Sequence, residues 1–347
     1  MFAKRSGSTC WRRSRRSARP CPNAPCWSGS KFRKRKSLMK WFEMVGVASL
    51  GLALVGSCVQ ADEAPAWQEG VLAGAADLLE PNYIYEDRAN QLGAFLRADP
   101  DRYAGIADKD AFARAVTQDL YAMVSDAHLR LFHDPEEPEA EPNEAGRVSR
   151  CARGDIEHER LDGNVGYIRV PTFSSDDAYI AQIDAAFAAQ NDADALVIDL
   201  RNNCGGGPRP VRQISTYLFD EVTHLASTEM RGQPVRERWT FEDVPGPRFL
   251  DRPVLILTND STFSAAESFT FGLKVTGRAL TVGEGTGGGG HFGGVERISE
   301  DFTLFVPVGR TFDPRTGRGW EAEGIQPDIP AASDDALDVA LAYLATL

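Results

Sequence analysis

From residue 163 to the end, the chain alternates two kinds of apolar pattern. Val165–Val170, Ala195–Leu200, Pro253–Thr258, Leu280–Gly283 and Thr303–Val308 are short apolar runs bounded by turn-forming residues, which predicts strands. Ala195–Leu200 and Pro253–Thr258 are the most continuous, as in strands covered on both faces. Between them lie helical spacings. Ile180, Ile183 and Phe187 follow Ser174 and Ser175, either of which suits the cap, and Val211, Ile214 and Leu218 follow Pro208. Further helices are predicted from about Ser264 to Lys274 and from Ser333 through Leu344. Strands alternating with helices predict an α/β core of mainly parallel strands over residues 163–347.

Upstream the pattern is helical only. Trp67, Val71, Ala75 and Leu78 form one stripe that Pro81 should end. Phe112, Val116, Leu120, Met123 and Val124 form a stronger one. Residues 62–132 therefore read as a small N-terminal helical bundle. Residues 133–150 are rich in Pro and Glu, so 133–162 is expected to be an acidic linker and the entry to the core.

Composition narrows the class. With 42% hydrophobic and 25% charged residues in 347, the chain is globular and not a disordered polyelectrolyte. No apolar run reaches the ~18–20 residues of a membrane-spanning helix. The net charge of −12 conceals a division: residues 1–61 hold 13 Lys or Arg and one acid, whereas 62–347 hold 25 basic and 49 acidic residues. So acidic a body argues against nucleic acid as a partner, since a phosphate-binding surface must be positive.

The basic leader carries a secretory pattern. Met39-Lys40 precedes an apolar run from Met44 to Val55 and then small residues, the order of a signal peptide. Residues 1–38 are then sequence upstream of the true start, or a long n-region. Val59-Gln60-Ala61 suits cleavage before Asp62, while Val55-Gly56-Ser57-Cys58 resembles a lipobox that would leave a lipid-modified Cys58. Either route gives an extracytoplasmic protein, periplasmic or secreted, with any membrane attachment through that lipid. Of the six cysteines, Cys151 and Cys204 fall within the folded body, where they either pair as a disulfide or remain two free thiols.

Three glycine- or serine-bearing loops follow core strands, where α/β folds place ligands. In Asp199-Leu-Arg-Asn-Asn-Cys-Gly-Gly-Gly207, backbone N–H groups can face an anion, as in an oxyanion hole or a plain turn. Ser264 starts a helix directly after a buried strand, where the positive helix end favours a nucleophilic oxygen. Ser264-x-x-Glu267 is also a capping box. Gly283-Glu-Gly-Thr-Gly-Gly-Gly-Gly-His291 suggests backbone close to a ligand, or a mobile flap. A serine nucleophile needs a base. The histidines are His128, His133, His158, His224 and His291, and beyond residue 61 the lysines are Lys109 and Lys274. Lys274 lies ten residues along the same helix as Ser264, about 15 Å away at 1.5 Å per residue, and cannot serve it.

Six segments in order resemble the tail-specific (C-terminal processing) serine peptidase family, most closely the branch of the tricorn core and interphotoreceptor retinoid-binding protein. They are Asp126-Ala-His-Leu-Arg, Gly163-Asn-Val-Gly-Tyr-Ile, Asp199-Leu-Arg-Asn-Asn-Cys-Gly-Gly, Thr262-Phe-Ser-Ala-Ala-Glu, Gly283-Glu-Gly-Thr-Gly-Gly-Gly and Gly319-Trp-Glu-Ala-Glu-Gly-Ile-Gln-Pro-Asp. The resemblance implies a crotonase-like α/β core after a helical domain. The gap that holds a PDZ domain in many relatives holds only the acidic linker here. It further implies Ser264 as nucleophile, His128 as general base and Glu321 as its support, with Glu323 as the fallback. Backbone N–H groups of Gly205 or Gly206 and of Ala265 would form the oxyanion hole, and His291 would be a loop residue near the site. Ala127 departs from the serine that tricorn-like relatives carry there. The lysine of Ser–Lys relatives, about 25 residues after the serine, is replaced by glycines 287–290. No metal or organic cofactor is implied, and the substrates would be proteins or peptides. His128 is expected to titrate near ~6.5, raised by Glu321. The rival use of this fold is a non-catalytic carrier for an apolar ligand such as a retinoid or fatty acid.

Overall fold

The computed structural model describes residues 66–133 and 151–347. The leader 1–61 with Cys58, and most of the acidic linker, fall outside the described residues. Among those described, no helix is long and apolar enough to cross a membrane.

In chain order the elements are α1 (Ala66–Asn82), α2 (Glu86–Ala98), α3 (Lys109–Val124), β1 (Arg130–His133), β2 (Glu157–Leu161), β3 (Val165–Arg169), α4 (Asp177–Ala189), β4 (Ala195–Asp199) and α5 (Pro208–Thr216). Then follow β5 (His224–Met230), β6 (Arg236–Trp239), β7 (Val254–Thr258), α6 (Ala265–Val275), β8 (Leu280–Gly283), β9 (His291–Arg297), β10 (Phe302–Phe312), β11 (Ile329–Pro330) and α7 (Ala336–Leu344).

Six strands form the first sheet in the order β11-β8-β7-β4-β3-β2, parallel except where β2 joins β3. Its alternate residues feed two cores, as a period of two requires. Ile168, Leu196, Ile198 and Ile256 pack with α4, α5 and α6, while Val197, Leu255, Leu257 and Val282 pack with Ala336 and Ala340 of α7. Cover on both faces explains why β4 and β7 are apolar throughout.

The second sheet runs β1-β10-β5-β6, with β9 also paired to β10, and every pairing is antiparallel. Mainly parallel pairing therefore describes only the first sheet. Helices α1 and α3 bury Leu72, Leu79, Phe112 and Leu120 against Phe302, Leu304 and Val306 of β10.

Local differences have plain causes. Pro81 is the penultimate residue of α1, so the helix ends one residue after the break it imposes, and Asn82 Nδ2 donates to Leu78 O at 2.9 Å. The cap position of α4 is Asp176, with Ser174 Oγ donating to its carboxylate at 2.8 Å. Cys151 and Cys204 form a disulfide with a Cα separation of 5.3 Å, across 53 residues.

Candidate active site

Ser264 closes the turn between β7 and α6 with φ 55° and ψ −115°. A non-glycine residue there stores about 1–3 kcal/mol of strain, which persists only where the surroundings fix it. The fixing group is Glu267, wholly buried one turn into α6. Its carboxylate accepts from Ser264 N (2.9 Å), Thr286 Oγ1 (2.5 Å), Gly288 N (2.8 Å) and Gly289 N (2.7 Å). Burial pushes the Glu267 carboxyl up, and these four donors pull against it. The capping box is thus in place, and its acidic half also ties the glycine-rich loop to the serine.

The loop after β4 lies against this turn. A Cβ on Gly205 would stand 2.8 Å from Ser264 Cβ and 2.9 Å from Ala265 N, and Gly205 has φ 106°. Only glycine fits so close an approach. Gly205 N donates to Asn203 Oδ1 at 2.8 Å, so that N–H is already engaged. The N–H groups of Gly206 and Ala265 donate to no acceptor among the described residues.

His128 follows α3, which ends at Ser125 in the left-handed conformation. Its ring lies 4.5 Å from the ring of Phe263, the neighbour of Ser264, and 5.2 Å from that of Phe305. A Cβ on Gly289 would stand 2.7 Å from His128 Cε1, which explains the glycine there. His128 Nδ1 is buried without a hydrogen-bond partner, and so is Glu321 Oε1. No hydrogen bond joins His128 to Ser264.

Glu321 is held at the site by its neighbours. Ala322 N donates to Gly288 O at 2.9 Å, and Ala322 itself has φ 64°. Glu321 Oε2 accepts from His291 N at 2.7 Å. A ring nitrogen of His128 and a carboxylate oxygen each from Asp126 and Glu321 lie within 4.8 Å of one another. That spacing could also hold a divalent cation, although both Asp126 oxygens already accept hydrogen bonds. Glu323 points elsewhere, with its side chain 79% exposed and 3.9 Å from Arg318.

Electrostatics separates the three groups. Burial drives His128 down to about 4, against the opposing pull of Asp126, so its expected rise does not occur. Burial and the charge on Asp126 lift Glu321 to about 7. Burial pushes Asp126 up, but hydrogen bonds from His291 and Tyr83 outweigh it and hold its carboxyl below the usual range.

His291 lies near Ser264, but on a strand and not in a loop. It begins β9, is buried, and donates from Nδ1 to Asp126 Oδ2 at 2.7 Å when that nitrogen carries the proton. With Ser264 it lines a cavity of about 270 Å3 whose wall is apolar at Val211, Leu225, Phe292 and Trp320. Arg212 and Arg238 also line this cavity. Arg212 is engaged by Trp239 O at 2.7 Å, whereas the exposed Arg238 guanidinium has no partner among the described residues. Asp126, Tyr83 and Arg238 were not among the expected site residues. Asp126 stood two places before His128, and its burial was the missing signal. Lys109 pairs with Asp301 and Lys274 with Asp328, each occupied elsewhere.

The chain has clear relatives. It is 29% identical to carboxyl-terminal-processing peptidase 2, chloroplastic, of Arabidopsis thaliana over 168 residues, which is 48% of this chain and 32% of that protein. The chain thus spans about a third of the length of that relative. Its fold resembles a putative peptidase from Parabacteroides merdae (TM-score 0.58, 18% identity, 80% of this chain and 96% of that one). It also resembles the tricorn protease (TM-score 0.54, 16% identity, 80% of this chain and 36% of that one). Residues 66–161 match the N-terminal domain of peptidase S41 in eukaryotic IRBP, and residues 164–331 match peptidase family S41 itself. From α1 to β11 the two matches run on with hardly a break, and the chain belongs to peptidase family S41.

Proposed function

We propose that this chain is a serine endopeptidase, built as a crotonase-like core (163–347) after an N-terminal helical domain (62–132) and acting outside the cytoplasm. One observation carries the reading: Ser264 sits strained at a helix start, on a cavity wall, beside two free backbone donors and a histidine–carboxylate cluster. Ser264 Oγ attacks the peptide carbonyl and His128 takes its proton. The oxyanion accepts from the N–H groups of Gly206 and Ala265. His128 then protonates the leaving amine, and a water that it deprotonates hydrolyses the acyl-enzyme, returning the proton to Ser264. Ionised Glu321 stabilises the imidazolium. The lowered titration of His128 keeps it neutral, and so able to accept a proton, at neutral pH.

The cavity suits an apolar side chain beside the cleaved bond, and Arg238 suits a substrate carboxylate. The disulfide supports an oxidising compartment, consistent with the leader as a signal peptide or with lipidation at Cys58. The apolar cavity also keeps the carrier reading alive. Peptide turnover decides between them. Ser264→Ala and His128→Ala should abolish it, while Lys109→Arg with Lys274→Arg should retain it. Full turnover by Ser264→Ala would overturn the peptidase reading, and retinol binding without turnover in the wild type would favour the carrier.

A further inference from the structure

We infer that Asp126 and His291 form a positioning pair that holds the base and its carboxylate in register, Asp126 through His128 and His291 through Glu321. The inference rests on the proposed roles of His128 and Glu321. Asp126 Oδ1 accepts from the His128 backbone N–H at 3.0 Å, and Oδ2 accepts from Tyr83 Oη at 3.0 Å and from His291 Nδ1 at 2.7 Å. Every hydrogen bond that the Asp126 carboxylate accepts therefore comes from the site or from the helical region that backs it. His291 completes the frame, because its own N–H donates to Glu321 Oε2 at 2.7 Å. The ring of Tyr85 meets the His291 ring edge-on at 5.6 Å.

The pair spans 165 residues of sequence. It joins the segment before β1 to the first residue of β9, two strands that both pair with β10. An apolar pair could staple these strands at lower cost, since burying a carboxylate and an imidazole forfeits hydration that only well-placed partners repay. The cost is understandable where orientation matters. His128 Nδ1 and Glu321 Oε1 have no hydrogen-bond partners of their own, so beyond the ring packing of His128 on Phe263 and Phe305 the polar contacts that fix them are the His128 backbone N–H and Glu321 Oε2.

A competing assignment uses the same geometry. His291 lines the Ser264 cavity and bears a carboxylate on Nδ1, as the base of a Ser–His–Asp set does. The two assignments diverge on one substitution. In His291→Asn the side-chain amide can donate to Asp126 from near the place of Nδ1, but it cannot accept a proton.

The test is steady-state peptide hydrolysis by His291→Leu, His291→Asn, Asp126→Asn and Tyr83→Phe, with folding checked by circular dichroism. Misplacing a catalytic group by about 1 Å can cost about a hundredfold, so His291→Leu and Asp126→Asn should lower kcat by roughly ten- to a hundredfold with KM within about twofold. His291→Asn should recover kcat to within about threefold of wild type, a rescue that a proton acceptor would not permit. Tyr83→Phe, the mildest change, should lower kcat by about threefold and remains informative if His291→Leu does not fold. The inference is overturned if His291→Asn is as inactive as Ser264→Ala, which makes His291 the base. It is equally overturned if the folded variants all keep wild-type kcat. His128→Ala, assayed in parallel, separates these failures from failure of the catalytic reading: turnover by that variant removes His128 as the base whatever His291 does.

Discussion

Glu321→Gln should make the protein more stable and less active at the same time. The carboxyl is pushed from its ordinary 4.5 to about 7 by burial and by the charge on Asp126. A displacement of that size is worth roughly 3 kcal/mol, an upper figure because local relaxation reduces it. The sign follows from the two states. In the unfolded chain the carboxyl ionises above 4.5, and in the folded protein only above about 7. The penalty is therefore absent below 4.5, grows between the two values and is complete above 7. Glutamine has no such penalty and keeps an oxygen for the His291 N–H. Urea unfolding at pH 8 should show Glu321→Gln more stable than wild type by up to roughly 3 kcal/mol, with a Tm some 5–10 °C higher. At pH 5 the difference should shrink to less than about 1 kcal/mol. Turnover should meanwhile fall by about 10²–10⁴, as it does when a base loses its anionic partner. A stability difference independent of pH, or a destabilised variant at pH 8, would refute the reasoning.

Other outcomes follow from the same geometry. The acid limb of kcat/KM should lie near pH 7, where Glu321 loses its charge, and should move towards 4 in Glu321→Gln as His128 becomes the limiting group; a limb unmoved by that substitution would assign it elsewhere. Replacing Cys151 and Cys204 by serine opens a loop closed across 53 residues, which should cost up to about 4 kcal/mol in urea unfolding and lower kcat, since Cys204 stands next to Gly205. An unchanged midpoint and rate would contradict both effects. Arg238→Glu should raise KM for peptides with an acidic group near the cleaved bond and leave neutral peptides nearly unaffected; equal effects on both would remove Arg238 from recognition.

How far the sequence revealed this architecture depended on where each residue's partners lie. The doubly covered strands β4 and β7 advertised themselves, because burial on both faces demands unbroken apolar runs. The second sheet did not. Strand β6 is exposed along its whole length, and β9 buries mainly His291, so neither shows a two-residue apolar period. Helix α2 buries Ala89, Leu92, Gly93 and Leu96, a face with few large residues to mark it. At the site, the strand–turn–helix at Ser264 was visible locally, and so was the glycine run that packs on Phe263 and His128. The roles of Asp126 and His291 were not, because their bond joins segments far apart in sequence and no local spacing encodes it. The same holds for the choice between Glu321 and Glu323, which differ by two positions yet point to the interior and to solvent.

The central claim is that Ser264 is a nucleophile activated by His128. The most direct measurement is mass spectrometry of the folded protein after reaction with a fluorophosphonate, with peptide mapping of the adduct. The account predicts one adduct, on Ser264, formed quickly by the wild type and barely at all by a folded His128→Ala variant. An unlabelled wild type, an adduct on another residue, or labelling of Ser264 at an equal rate without His128 would contradict it.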